Sequence, residues 1–277
     1  MYDLNGKVAV VTGSGRRTGI GEAIARRLAA EGCTVVLSDL GRAAGEQFSE
    51  THIGTTDELA AIADEIRQSG GRCITVPCDV RDERDVEALM QRAVDEFGQL
   101  DILVNNAGVG YLMGPVTETS LEDWNAVLEV NLRGPFLGTK HAARHMIARG
   151  EGGRIINIAS QAAKSGFAFA AAYTSSKHGL VGLTRSNAVE LAPHKITVNA
   201  VCPNHITTGL GDWQNSFFSD AGGQSYEDYL QGIRDRIPLG RVGLVEDIAK
   251  AVAWLASPQA DYVTGEAMNV SGGEEMH

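Results

Sequence analysis

Residues 7–32 read KVAVVTGSGRRTGIGEAIARRLAAEG, and this stretch decides the fold. KVAVVT (7–12) is a short run rich in valine, the pattern of a strand buried on both faces. IGEAIARRLAAEG (20–32) carries apolar residues at helical spacing and closes on Gly32. Between them lies TGSGRRTGIG (Thr12–Gly21). A glycine-rich turn from strand to helix brings backbone N–H groups and a helix N-terminus up to a pyrophosphate. Gly13, Gly15, Arg17, Gly19 and Ile20 are therefore expected to hold a phosphate group.

The same rhythm repeats outward from this unit. Strands are predicted at 34–39, 72–80, 100–108, 154–160, 195–203 and 266–272. Helices are predicted at 57–71, 83–98, about 121–148, 172–192 and 245–256. Strand–helix alternation implies crossovers between parallel strands, with helices covering both faces of the sheet. The predicted fold is α/β: a single-domain, Rossmann-like, doubly wound parallel sheet of about seven strands over residues 1–277. Two stretches break the rhythm, a polar insert at 41–56 and a long segment at about 204–236 with scattered aromatics. Loops of that length in a compact domain are usually functional.

Composition narrows the partners. The 277 residues carry a net charge of −11, which repels phosphate backbones and anionic lipid, so neither nucleic acid nor a membrane surface is expected as a partner. No signal peptide or run of 18 apolar residues is visible, and a cytoplasmic location is expected. Cys33, Cys73, Cys78 and Cys202 form no metal-ligand spacing, so they read as reduced thiols and no metal is expected.

The second strand ends at Asp39, eighteen residues beyond Gly21. A carboxylate there accepts hydrogen bonds from an adenosine ribose diol and repels a 2′-phosphate, which favours NAD over NADP. Arg16 and Arg17 argue the other way, since guanidinium forks suit phosphate; either could instead touch the pyrophosphate or solvent. Asp79, beside Val80, could accept from an adenine amino group or cap the helix that follows. In NNAG (105–108), Gly108 permits close approach, Asn105 or Asn106 can pin neighbouring loops, and Asn106, Ala107 and Gly108 are candidate cofactor contacts.

At the other end of the chain, Tyr173 and Lys177 are i and i+4 on one predicted helix, so they share a face. A tyrosine is too weak an acid to act as a base at neutral pH. An ammonium at ~4 Å, with an effective dielectric of ~20, is worth ~4 kcal/mol or ~3 pKa units. Lys177 is therefore expected to lower the Tyr173 pKa inside a partly dry cleft. Ser160 ends the fifth strand, thirteen residues before Tyr173, and can hydrogen-bond a substrate oxygen. Asn131 is unfavourable within a helix and hints at a special role.

With these residues, the chain resembles the short-chain dehydrogenase/reductase family over essentially its whole length. The resemblance rests on Gly13–Gly21, NNAG, Asn131 in VNLRG, Ser160 in NIAS, Tyr173 and Lys177 in YTSSK, CPNHITT (202–208) and VTGEAMNVSGG (263–273). It implies an oxidoreductase moving a hydride between a secondary alcohol or ketone and NAD. Asn131, Ser160, Tyr173 and Lys177 would be catalytic, with Asn131 holding a water in a proton relay. Tyr173 and Lys177 would also touch the nicotinamide ribose, and Pro203, Ile206 and Thr208 would border its carboxamide. A homotetramer is implied, paired through the helix bearing Tyr173 and the one before it. An NADPH-dependent carbonyl reductase is the alternative, and a silent dinucleotide-binding scaffold a remote one.

Two departures stand out. Five residues, not three, separate the first glycines of the turn, and Asn204–His205 replaces the usual glycine after Pro203. Tyr111, Phe167, His205 and Trp213 are the candidate substrate contacts. With Met113, Phe169, Phe217, Phe218, Tyr226 and Tyr229 they predict an apolar pocket for a hydrophobic, cyclic or aromatic substrate. Lys164 and His205 are the nearby candidates for recognising an anion.

Overall fold

All five residues of β1 (Val8–Thr12) are buried, because both faces of this strand are covered. The structure, a computed structural model, describes residues 2–49 and 53–276. The other strands are β2 (Thr34–Ser38), β3 (Arg72–Thr75), β4 (Ile102–Asn105), β5 (Gly153–Ile158), β6 (Ile196–Pro203) and β7 (Ala267–Val270). They form one parallel sheet in the order β3-β2-β1-β4-β5-β6-β7. Val10 pairs with Val36 on one side and Leu103 on the other. The strand order reverses between β1 and β4, and a doubly wound sheet opens a crevice at the carboxyl ends of its strands there.

The helices are α1 (Ile20–Ala30), α2 (Thr56–Gln68), α3 (Glu83–Phe97), α4 (Leu121–Leu128), α5 (Gly134–Arg149), α6 (Ala171–Leu191), α7 (Gly209–Ala221), α8 (Tyr226–Arg236) and α9 (Val245–Ala256). Ile24 and Leu28 of α1, Ile62 of α2 and Val252 of α9 pack in one core with β1 and β2. Leu89 of α3, Met146 of α5 and Leu191 of α6 belong to a second core. The caps follow the sequence. Thr55 and Glu58 form a capping box on α2, Asp82 caps α3, and Gly98 ends α3 in the left-handed region. Among the described residues, no helix is long and apolar enough to cross a membrane.

The structure corrects five expectations. The predicted strands at 72–80, 100–108 and 154–160 stop at Thr75, Asn105 and Ile158. Beyond them single backbone bonds persist, from Val76 and Cys78 N–H to Leu37 and Asp39 and from Ala159 N–H to Val201, while Asp79, Asn106 and Ser160 turn out to line the crevice. The single helix expected over 121–148 is interrupted by a π-turn at Glu129–Arg133. Pro135, just beyond it, removes one i→i−4 hydrogen bond and forces the local widening.

The segment 204–236 is mostly helical rather than loop. Thr208 caps α7 and Ser225 caps α8. The insert at 41–56 folds back over the crevice. Thr56 N–H donates to the Gly41 carbonyl at 3.0 Å and closes its ends. Phe48, at the end of a 3₁₀ turn, is only 3% exposed. Glu50, Thr51 and His52 of this insert lie outside the described residues.

Candidate active site

The crevice is lined by the glycine-rich turn, the ends of β2 to β6, the insert and α7. Its floor begins at Ser14, whose hydroxyl accepts from Ser38 N–H at 3.0 Å and ties the turn to β2. Gly15 N–H then donates to Asp39 Oδ2 at 2.7 Å, and Leu40 N–H to Oδ1 at 2.8 Å. A Cβ on Gly15 would lie 2.7 Å from Asp39 Cβ, so only glycine lets the carboxylate back onto the loop. Burial pushes the Asp39 carboxyl up against these two amide bonds. On the other side of the turn, Asn106 Nδ2 donates to the Thr12 and Gly13 carbonyls at 2.9 and 2.8 Å. The amides of Asn106 and Ala107 both donate to Thr12 Oγ1 at 3.1 Å.

The two extra residues of the turn make a tight bend. Gly19 N–H donates to the Arg16 carbonyl at 3.1 Å, and Thr18 takes a positive φ of 58°. The bend carries Arg17 to the rim, where its guanidinium pairs with Glu65 at 2.5 Å. Arg16 instead stays in the crevice and reaches the first turn of α7, where a Cβ on Gly209 would lie 2.8 Å from its Nη2. No ion pair engages Arg16 among the described residues.

Asp79 and Val80 line the same end. Asp79 does not cap α3, since Asp82 does. Its carboxylate receives Arg81 Nη2 at 2.6 Å and Nε at 2.9 Å. Burial pushes this carboxyl up, but the Arg81 bonds outweigh it and hold it below its ordinary value. The Arg81 guanidinium lies 4.0 Å from the centre of the Phe48 ring, a cation–π contact. Neither Phe48 nor Arg81 was expected at this site, because only the folded insert brings them here.

At the chemical end, α6 delivers Tyr173 and Lys177 into the crevice beside Ser160, which follows β5. The Ser160 hydroxyl accepts from Ala162 N–H at 3.1 Å and lines the crevice with Tyr173. Lys177 is 5% exposed, and its Nζ donates to the Ile158 carbonyl at 2.9 Å. Nζ lies 5.7 Å from the Tyr173 ring centre. Burial pushes the Tyr173 phenol up, while Ser160 opposes it. Burial also pushes the Lys177 ammonium down to about 8. Desolvation is the largest influence on both groups.

Asn131 sits in the π-turn and is 1% exposed. Its Oδ1 accepts from Val109 N–H, and its Nδ2 donates to the Val109 carbonyl, both at 2.8 Å. Nδ2 also donates to Ser176 Oγ at 3.1 Å. The side chain thus pins the strand-four loop to α6. Gly108 sits between these groups, and a Cβ there would lie 3.4 Å from Asn131 Oδ1 and 3.6 Å from Lys177 Nζ.

Pro203, Ile206 and Thr208 line the crevice after β6. Thr208 Oγ1 accepts from Gly211 N–H at 2.9 Å and so caps α7. Tyr111, Phe167, His205 and Trp213 all reach the crevice, as do Met113, Phe218 and Tyr229. Phe169, Phe217 and Tyr226 do not line it. Phe217 stacks on Trp213 at 5.5 Å and meets Phe169 edge-on at 6.1 Å, and Tyr226 donates to Asp212 at 3.1 Å. Lys164 turns away and donates to the Ala267 carbonyl at 2.6 Å.

The chain's glycines and carboxylates fit a dinucleotide. The half-buried Asp39 carboxylate closes one end of the crevice and the Tyr173 phenol lies at the other, with the glycine-rich turn between them.

A family model described as enoyl-(acyl carrier protein) reductase matches residues 13–275. A short-chain dehydrogenase/reductase of Armillaria gallica is 39% identical over 268 residues, 97% of this chain and 95% of the relative. The structure of carveol dehydrogenase from Mycobacterium avium in complex with NAD superposes with a TM-score of 0.91 at 31% identity, covering 99% of each chain. That of an actinorhodin polyketide ketoreductase variant with NADPH gives 0.87 at 39% identity, covering 98% of each. With this sheet order, this crevice and these likenesses, the chain belongs to the short-chain dehydrogenase/reductase family of oxidoreductases, which act on an alcohol or ketone with a nicotinamide dinucleotide.

Proposed function

We propose that the protein is an NAD-dependent dehydrogenase of hydrophobic secondary alcohols, reducing the matching ketones in reverse. The observation that carries this reading is the convergence of Ser160, Tyr173 and Lys177 in the crevice that Asp39 closes at its far end. Bound nicotinamide supplies the hydride acceptor, and in reverse the donor. The Tyr173 phenol stands as the proton carrier at the substrate oxygen, accepting the hydroxyl proton in oxidation and returning it in reduction. Ser160, beside that phenol in the crevice, hydrogen-bonds the substrate oxygen and holds it near the phenol. Lys177, fixed by the Ile158 carbonyl, keeps a positive charge beside the phenol. Asn131 is a positioning residue that holds the adjoining loop against α6. Apolar walls from Tyr111, Phe167 and Trp213 suit a cyclic or aromatic body, in keeping with a carveol dehydrogenase among the structural relatives.

The test is a screen of hydrophobic secondary alcohols with NAD, followed at the nicotinamide absorbance, on the wild type and Tyr173→Phe. Loss of about 10³-fold or more in kcat is expected in the variant. Equal turnover in the two proteins would end the role of Tyr173, and no turnover in the wild type with any alcohol would favour the silent scaffold.

The second reading, an NADPH-dependent reductase, is favoured by Arg16, a cleft guanidinium with no carboxylate partner among the described residues. A structural relative also holds NADPH. Initial rates with NAD and NADP at equal concentration separate the two readings.

We also propose a homotetramer. Phe136 of α5 and Val189 of α6 are 48% and 79% exposed, and apolar groups at such exposure suit a covering partner. Light scattering after size exclusion reads the mass directly.

A further inference from the structure

The last residues of the chain reach back to both walls of the substrate end. Gly272 and Gly273 adopt positive φ values of 66° and 95° and turn the chain after β7. Glu275 then receives Gln161 Nε2 at 2.6 Å and Ser165 Oγ at 3.1 Å, on the loop that begins at Ser160. Glu274 receives Asn204 Nδ2 and, at 3.2 Å, Arg236 Nε. Glu274 Oε2 lies 4.0 Å from His205 Nε2. One dipeptide thus ties the loop after β5 to the loop after β6 and to α8.

His205 stands in the middle of this arrangement. Its side chain is 22% exposed and lines the crevice. Asn215 of α7 lines the crevice with it and acts on the ring, while Glu274 lies beyond hydrogen-bonding reach. An imidazole has two ring nitrogens, each a donor or an acceptor, so one remains for the crevice. Other polar side chains of this wall are already engaged. Gln161 and Asn204 donate to the tail, and Gln214 donates to the Gly110 carbonyl at 3.0 Å. Burial keeps His205 uncharged at neutral pH by pushing its pKa down.

We infer that His205 is a specificity-determining residue that hydrogen-bonds a second, uncharged oxygen (a hydroxyl or carbonyl) on the substrate, away from the reacting carbon. Glu274 and Asn215 are the positioning residues that set the ring. The inference rests on the proposed alcohol dehydrogenase reading and narrows its substrate class to apolar rings bearing two oxygen functions. A carboxylate in that place is disfavoured, because Glu274 lies close and Arg236, the nearby cation, is already paired with it.

The test compares cyclohexanol with the 1,2-, 1,3- and 1,4-cyclohexanediols on the NAD-loaded enzyme, by turnover and by quenching of tryptophan fluorescence, since Trp213 lines the same crevice. The readout is the ratio, best diol over cyclohexanol. In the wild type it is expected to reach about tenfold, the scale of one neutral hydrogen bond and more than the doubling that two equivalent hydroxyls give. His205→Leu should collapse it, His205→Gln should retain part of it, and Glu274→Gln should lower it with a smaller loss. A ratio near the statistical doubling in the wild type, or one equal in wild type and His205→Leu, overturns the inference. So does tighter binding of a ring alcohol that carries a carboxylate. Diol binding that depends on His205 without any hydride transfer would instead leave this inference standing and remove the dehydrogenase reading.

Discussion

Ser160 lies beside the Tyr173 phenol in the crevice and opposes the upward shift that burial imposes on it. Ser160 therefore acts on the proton carrier as well as on the substrate. Ser160→Ala is expected to lower kcat/KM by about 10²-fold, the cost of losing one donor at a developing oxyanion. It should also move the rising, acid-side limb of the oxidation profile to higher pH, because Tyr173 must lose its proton to act as the base and the unsupported phenol is a weaker acid. An unshifted limb with the same loss of rate would limit Ser160 to holding substrate.

Lys177 gives a stability signature separate from catalysis. Burial holds its folded pKa at about 8, against about 10.4 in an unfolded chain. Below pH 8 both states carry the proton, and the cost of burying the charge is fully present. Between pH 8 and about 10.4 the unfolded chain keeps a proton that the folded chain has released, so stability rises with pH. Lys177→Met lacks this titration. The Tm of the wild type minus that of Lys177→Met, measured without dinucleotide, should be flat below pH 8 and then climb. Titration of Tyr173 is common to both proteins and largely cancels in the difference. A flat difference across the whole range would show that the ammonium is better solvated than its 5% exposure indicates.

Much of this was legible because the residues act through local patterns. Valine-rich runs such as 8–12 announce strands covered on both faces, and an i, i+4 spacing alone places Tyr173 and Lys177 on one face of α6. What stayed hidden is tertiary. The apolar stripe of α7 is made of Trp213, Phe217 and Phe218 behind two glycines, Gly209 and Gly211, which read as loop. Pro135 was in view, but the hydrophobic period runs through it, so the π-turn was masked. Glu274 and Glu275 carry no pattern at all. Their role follows from where two glycines aim the tail.

The π-turn should matter for both stability and rate. Asn131 satisfies both the N–H and the carbonyl of Val109. Asn131→Ala leaves that buried pair without partners, at about 3 kcal/mol, or roughly 6–12 °C in Tm. Asn131→Asp keeps an acceptor for Val109 N–H but loses the donor to its carbonyl and to Ser176. The loss of Tm should therefore be smaller for Asp at a pH where it is ionised only if the N–H bond dominates. Thermal melts of both variants, beside kcat, decide this. Wild-type Tm in Asn131→Ala would mean that Val109 finds other partners and that the residue has no positioning role.

The insert at 41–56 offers the sharpest separation between structure and binding. Phe48 is 3% exposed, faces the Arg81 guanidinium at 4.0 Å and borders the crevice near Asp79. The Tyr111 hydroxyl donates to the Gln47 carbonyl at 2.7 Å, so the insert is also tied to the substrate wall. A loop anchored this way can loosen without unfolding the sheet. Phe48→Ala should therefore cost less Tm than the 3–5 kcal/mol typical of a core phenylalanine implies, because the cavity opens at the surface. The larger effect belongs to binding. Loss of one aromatic wall is worth about 0.5–1.5 kcal/mol, so the Kd for NAD should rise about two- to tenfold. Truncation at the opposite wall, Trp213→Ala, should spare NAD affinity and weaken the alcohol instead. If Phe48→Ala lowers Tm sharply and leaves the NAD Kd unchanged, the insert is a structural buttress and takes no part in holding the dinucleotide.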